Sequence, residues 1–303
     1  MRSLFATAGI PIAMLGLITA GMLAGRPCVA GNTPTTNAVM NSAPSMVEIG
    51  SGFWNLRGSF KVAMGLVNVG THMSVARLST GRYLVIDTIM MSEEQKAAFD
   101  RVTDDGRLVE AVVATHPFHT TAFPAFHEAY PNAKYYGTPR HLRKLPDIAW
   151  AGDVNDERVR AMFEPDVSMR IPAGAEFVNP EEDNHFSNVF VLHRPSRTVH
   201  NDDTIVNWRN PTWSLTRLFL KDGIRFHPSL TGVGLYPTPE APLQFRSWVQ
   251  DLVRDWDFDN LCTAHNSNIV GGANAAVHDL VTRCDSLFDD LSKRNAAKLK
   301  KSS

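Results

Sequence analysis

The sequence predicts an α/β domain built in layers, and three patterns carry that expectation. Residues 108–114, 121–130 and 133–136 read as strand, helix and strand, and residues 261–264 followed by 275–291 repeat the strand-to-helix step. Two further pairs of short alternating segments, each joined by turn residues, read as β-hairpins. At 303 residues and 44% hydrophobic composition, the chain can bury one large core or two modest ones.

The N-terminus is read separately from the fold. Residues 1–30 contain no Asp or Glu: Arg2 precedes an apolar run over 4–24, and Arg26 to Gly31 follow with small residues at Cys28 and Ala30. This order resembles a secretory signal peptide cleaved after Ala30, which implies secretion or the endomembrane lumen. Pro11 and several glycines interrupt a run longer than many signal cores, so the alternative is a retained single-pass membrane anchor. Residues 31–45, rich in Thr, Asn, Ala and Pro, read as a flexible leader, and order is expected from Met46.

Residues 72–78 and 83–87 alternate on either side of Ser79-Thr80-Gly81-Arg82, the first hairpin. Ser92-Glu93-Glu94-Gln95 is a capping box, followed by Ala98, Phe99 and Val102 at helical spacing. The strand over 108–114 leads into the helix over 121–130, which Pro131 ends. Residues 188–192 and 198–200 form the second hairpin around His193-Arg194-Pro195-Ser196-Arg197. Residues 243–256 read as a helix, 261–264 as the last strand and 275–291 as one closing helix. The tail over 293–303 has five basic and no acidic residues and reads as a frayed, solvated end.

Thirty Lys plus Arg against 31 Asp plus Glu leave no basic field to hold phosphates, so nucleic acid is not an expected partner. A small-molecule substrate is expected, and a membrane only if the N-terminal segment is retained. Two cysteines outside that segment, Cys262 and Cys284, are too few for a disulfide framework. They are read either as one bridge in an oxidising compartment or, for Cys284, as a core position on the stripe Val277, Leu280, Val281, Cys284, Leu287, Phe288 and Leu291. Trp54, Trp150, Trp208 and Trp213 are read as packing rather than a substrate cleft. Gly271-Gly272 is read as a helix-start loop rather than an anion cradle.

The chemistry concentrates at Ala114-Thr115-His116-Pro117-Phe118-His119. A strand end fixes the direction of the two imidazoles, which suits them to a metal or a substrate carbonyl. With Tyr130-Pro131 placed after the helix, His185 ahead of a strand, Asp203 at the end of the next and His265 after the last, the order of polar residues resembles the metallo-β-lactamase fold superfamily. The resemblance spans about 46–292 and implies a four-layer αβ/βα sandwich of two mixed sheets with helices outside.

The family's His-x-His-x-Asp-His signature aligns so that His116 and His119 keep its second and fourth positions, while Ala114 and Phe118 replace its first and third. The resemblance then implies two reduced metal sets, His116, His185 and Asp203, and His119, His265 and Asp203, with Asp202 as the adjacent alternative to Asp203. Each suits a catalytic zinc or a non-haem ferrous ion. One carboxylate where the family has two compensates the repulsion between two divalent ions less well, so one ion is expected rather than two. Phe118 neither orients nor deprotonates water, and Asp202 or His200 is the expected substitute base.

These readings imply a metal-dependent hydrolase of an ester, lactone or similar small substrate. The alternative from another class is an inactive, metal-free domain that uses the pocket to bind a ligand or partner, and the third is an iron-dependent oxidoreductase. Apart from the alternative use of His200 as a base, His72, His127, His141, His193, His200, His227 and His278 are assigned structural or surface roles.

Overall fold

The computed structural model describes residues 45–62, 67–181, 184–209, 222–265 and 267–302. The signal or anchor segment, nearly all of the leader, and Trp213 lie outside the described residues. Among those described, no helix is long and apolar enough to cross a membrane.

Seven strands form the first sheet, in the order Val47–Gly50, Phe53–Gly58, Thr71–Arg77, Tyr83–Ile86, Val109–Val113, Lys134–Gly137 and Trp150–Asp153. The first four pair antiparallel, and from Tyr83–Ile86 onward the pairing is parallel. Parallel neighbours need a crossover, and the helices Glu93–Thr103 and Phe123–Ala129 provide it. The first begins with the expected capping box, Ser92 accepting from Gln95 N and Gln95 reaching back to the cap. The second sheet runs Val167–Arg170, Phe190–His193, Thr198–His200, Asn260–Cys262 and Ile269–Val270, with one parallel pair between Thr198–His200 and Asn260–Cys262. Both hairpins form as expected, Ser74 facing Ile86 and Leu192 facing Val199 across antiparallel pairs.

Side-chain alternation assigns the layers. Ala111 and Val113 join Phe53, Leu84 and Ile86 of the first sheet with Val167, Val189, Val191 and Cys262 in an apolar cluster between the sheets. Val112 and Ala114 point the other way, packing with Phe99, Phe123 and Phe126 of the outer helices. On the far side, Leu192, Val199 and Leu261 pack against Phe245, Val277, Leu280 and Phe288. The result is helix, sheet, sheet, helix, with fully buried aliphatic and aromatic side chains each worth roughly 1.5–3 kcal/mol.

Three expectations are corrected. The closing helix is two, Ala273–Arg283 and Asp285–Ser302, with Cys284 between them. The basic tail is the end of the second helix rather than a frayed segment: Asn295 is buried and donates to Thr238 O. Lys, Leu and Ala favour a helix there, and cations suit a helix C-terminus. Cys262 and Cys284 form no bridge, because they are buried in different clusters, between the sheets and under the C-terminal helices. Trp54 and Trp150 pack against the helix-side core, and Gly272 caps the helix Ala273–Arg283 with φ 69°, as a helix-start loop does.

Candidate metal centre

The strands Tyr83–Ile86, Val109–Val113, Thr198–His200 and Asn260–Cys262 deliver their following residues to the site: Asp87, Thr115 to His119, Asp202 and Asp203, and His265. At the first of the two histidines the chain turns, His119 N donating to His116 O at 3.0 Å, and the two imidazoles stack 4.3 Å apart. Ala114 lies in the helix-side core, away from this turn.

Asp203 is buried and surrounded by four histidines. His185 Nδ1 lies 2.6 Å from its Oδ2, His265 Nε2 2.9 Å from its Oδ1, His116 Nε2 3.5 Å and His119 Nε2 3.9 Å from its Oδ2. All five residues expected from the sequence therefore meet at one point. One group of ligand atoms close enough to share an ion, His116, His119 and Asp203, takes one histidine from each of the two expected sets.

The loop carrying His265 is held from below. Arg57 donates to Thr263 O at 2.6 Å, Ala264 O at 3.0 Å and Asn268 Oδ1 at 2.7 Å, and its burial pushes its pKa down to about 10. His265 Nδ1 is 2.9 Å from Gly70 O, which accepts its proton and leaves Nε2 for the site.

This donor set fits a divalent ion. Among the described residues, His116 Nε2, His119 Nδ1, His200 Nε2 and Asp203 Oδ1 are buried in this cluster without a formed hydrogen bond. Such orphaned atoms cost about 1–3 kcal/mol each unless something takes them. Two ligands of one tetrahedral zinc lie about 3.4 Å apart, and His116 Nε2 and Asp203 Oδ2 are separated by 3.5 Å.

A second polar group lies beneath. His72 and His200 stack 4.1 Å apart, their Nε2 atoms 3.3 and 3.6 Å from Asp202 Oδ1. Thr115 Oγ1 is within hydrogen-bonding reach of both Asp202 Oδ2 and Asp87 Oδ2, and its backbone N donates to Asp87 Oδ1 at 3.1 Å. His119 Nδ1 is 3.4 Å from Asp202 Oδ1, so this ring spans the two groups, one nitrogen to each aspartate.

The charges follow from burial and neighbours. Burial would raise Asp203 and Asp202, but the surrounding histidines hold both well below the usual carboxylate range. Burial and Asp202 together push Asp87 up to about 6. For His119, burial opposes protonation but Asp202, Asp203 and Asp87 outweigh it and push the pKa up to about 10. Burial and His119 push His116 down to about 3.

The residues expected as a base, Asp202 and His200, belong to the inner group. Both are fully buried and face His72, Asp87 and His119 rather than the other histidines around Asp203. Phe118, at the family's aspartate position, turns its ring toward His116 and lies under the Arg140 guanidinium at 4.6 Å.

The sequence reading missed Asp87, His72, Thr115 and His227. His227 stands against His185 with ring centroids 4.4 Å apart. The signal for Asp87 was present: a polar residue directly after an apolar strand, in a left-handed conformation at φ 55° that aspartate tolerates.

No family model matches the chain, and no curated protein matches it. Solved structures do. A metallo-β-lactamase from Hirschia baltica is 13% identical with a TM-score of 0.51, over 78% of this chain and 96% of that one. VMB-1 is 12% identical with a TM-score of 0.52, over 80% and 96%. The DIM-1 metallo-β-lactamase is 11% identical with a TM-score of 0.52, over the same shares. At such identities the likeness is one of fold.

Proposed function

On the metallo-β-lactamase fold that this chain has, we propose that it is a metal-dependent hydrolase of an ester, lactone or similar small substrate. One divalent ion, zinc before iron, is held by His116, His119 and Asp203, with His185 and His265 flanking it. The carrying observation is the convergence of four imidazoles on the one buried carboxylate of Asp203, with His116 Nε2 and Asp203 Oδ1 left without hydrogen-bond partners. Phe118 and the inward burial of Asp202 leave one carboxylate on the outer site, which favours one ion over two.

When bound, such an ion polarises a scissile carbonyl and acidifies water. The chain's own residues supply the rest. Asp203 stays ionised and accepts from His185, while His265 turns Nε2 toward the same carboxylate at 2.9 Å. His185, one-fifth exposed and hydrogen-bonded to Asp203, is the solvent-facing member of the group. The acid-free apolar leader supports a secretory or lumenal location, or an anchor if retained.

The loss of two signature positions, Ala114 and Phe118, favours one second reading, a ligand-binding domain without turnover. Zinc-loaded protein assayed on a panel of carboxylic esters and lactones separates the two. Turnover abolished by His116→Ala supports the hydrolase; zinc-loaded protein that binds panel members without converting them supports the binding domain.

A further inference from the structure

We propose that Asp202 is a positioning residue. It holds His119 with its proton on Nδ1 and its lone pair on Nε2, and His72, His200 and Thr115 hold Asp202 rather than bind a second ion. The inference rests on the reading above, in which His119 Nε2 faces the ion.

His72, His200 and Asp202 lie close enough together to hold a metal themselves, and the hydrogen inventory decides against it. Arg57, which only donates, gives a hydrogen to Asn268 Oδ1 at 2.7 Å. That fixes the Asn268 amide, whose Nδ2 donates to Asn55 Oδ1 at 3.0 Å. Asn55 must then present its own Nδ2, whose two hydrogens face Ser74 Oγ at 3.0 Å and His72 Nδ1 at 3.2 Å, with Met73 O a third neighbour at 3.2 Å. A ring nitrogen facing an NH2 group is bare, so the His72 proton sits on Nε2, pointing at Asp202 Oδ1 from 3.3 Å. A protonated nitrogen is a donor, not a ligand.

His200 follows the same logic. Ser74 Oγ accepts from Asn55 and has no other acceptor among the described residues than His200 Nδ1 at 3.0 Å. The His200 proton therefore also stands on Nε2, toward Asp202 and Asp87 at 3.6 Å. Thr115 completes the group on Asp202 Oδ2. Asp202 is thus an acceptor faced by donors, and the remaining nitrogen at its edge, His119 Nδ1 at 3.4 Å, faces it with a hydrogen. At 3.4 and 3.6 Å these are charge contacts longer than a formed hydrogen bond, so they orient the rings by field rather than by a closed bond. The other end of the turn is tied too, His141 Nε2 lying 3.3 Å from His119 O.

Zinc titration against a chromophoric chelator tests this, with wild type, Asp202→Asn and His72→Gln, whose amide keeps a donor toward Asp202. The expected result is one zinc per chain in all three. Affinity falls about 10- to 100-fold in Asp202→Asn, as for removed outer partners of ligating histidines, and by less than about threefold in His72→Gln. In the zinc-loaded wild type, ¹⁵N spectra place the His119 proton on Nδ1, and its hydrogen-bonded signal shifts upfield in Asp202→Asn. Two zinc ions in the wild type falling to one in either variant overturns the proposal and assigns an inner metal site. Unchanged affinity in a folded Asp202→Asn overturns it while leaving the hydrolase reading intact. A wild type that binds no zinc removes both.

Discussion

His185 Nδ1 and Asp203 Oδ2 lie 2.6 Å apart, joining the loop ahead of one strand to the end of the next. Asp203 is almost wholly enclosed and accepts this bond as an ionised carboxylate, so the two loops share one fixed negative charge. Charge-assisted hydrogen bonds of this kind are roughly twice as strong as neutral ones. The two loops are thereby held together at the point where the histidines converge.

Protons and metal ions compete for the same nitrogens, so metal-free protein is expected to lose stability at alkaline pH. His119 has a folded pKa raised to about 10, above an unfolded value of about 6.5. Its contribution is fully present below that unfolded value and is lost as pH rises through about 10. His200 and His265 are raised as well and act in the same direction. His116, pushed down to about 3, works the other way, lowering stability as pH falls below its unfolded value. Urea midpoints of chelator-treated protein should fall between neutral pH and pH ~10, with a shallower fall in His119→Gln; equal slopes refute the assignment.

Phe118→Asp restores the carboxylate that the family signature carries, beside the Arg140 guanidinium that now lies over the ring. The expected outcome is a second zinc per chain in equilibrium dialysis, and ester turnover rising by about 10²-fold if the missing proton acceptor limits the rate.

Thr115→Val removes the hydroxyl that Asp87 and Asp202 both face. The hydroxyl has one hydrogen to give, so its loss leaves one buried carboxylate short of a donor and should cost about 1–3 kcal/mol, read from the denaturant midpoint, with far-ultraviolet circular dichroism unchanged.

Phe245→Ala should cost about 3–5 kcal/mol. Its ring sits among Phe186, Phe226, Phe288 and Trp248, where the helix Glu240–Asp255 meets the second sheet and the C-terminal helix. A thermal melt within a degree of wild type would show that this layer is loosely packed.

Much of this was legible in the chain. The capping box at Ser92, the turn residues at Ser79 to Arg82 and the apolar run ending at His116 are local signals, and each produced its element. The break at Cys284 was not legible, because the apolar stripe runs on through Leu287, Phe288 and Leu291 in register with the helix before it, and both pieces join the same core. The inner polar group was hidden for another reason. His72, Asp87, Thr115 and Asp202 come from four strand regions, and only the topology brings them together. Asp202 and Asp203 were the hardest pair to separate: they follow one another after the strand Thr198–His200, and only the fold turns one to His72 and His200 and the other to His185 and His265.

The account turns on an ion held through Asp203, and elemental analysis of protein purified without chelator tests that most directly. Wild type should carry close to one zinc or iron per chain, and Asp203→Asn less than about a tenth of that, since a buried set without its carboxylate leaves the ion's charge uncompensated. Metal-free wild type, or equal metal in both proteins, would contradict it.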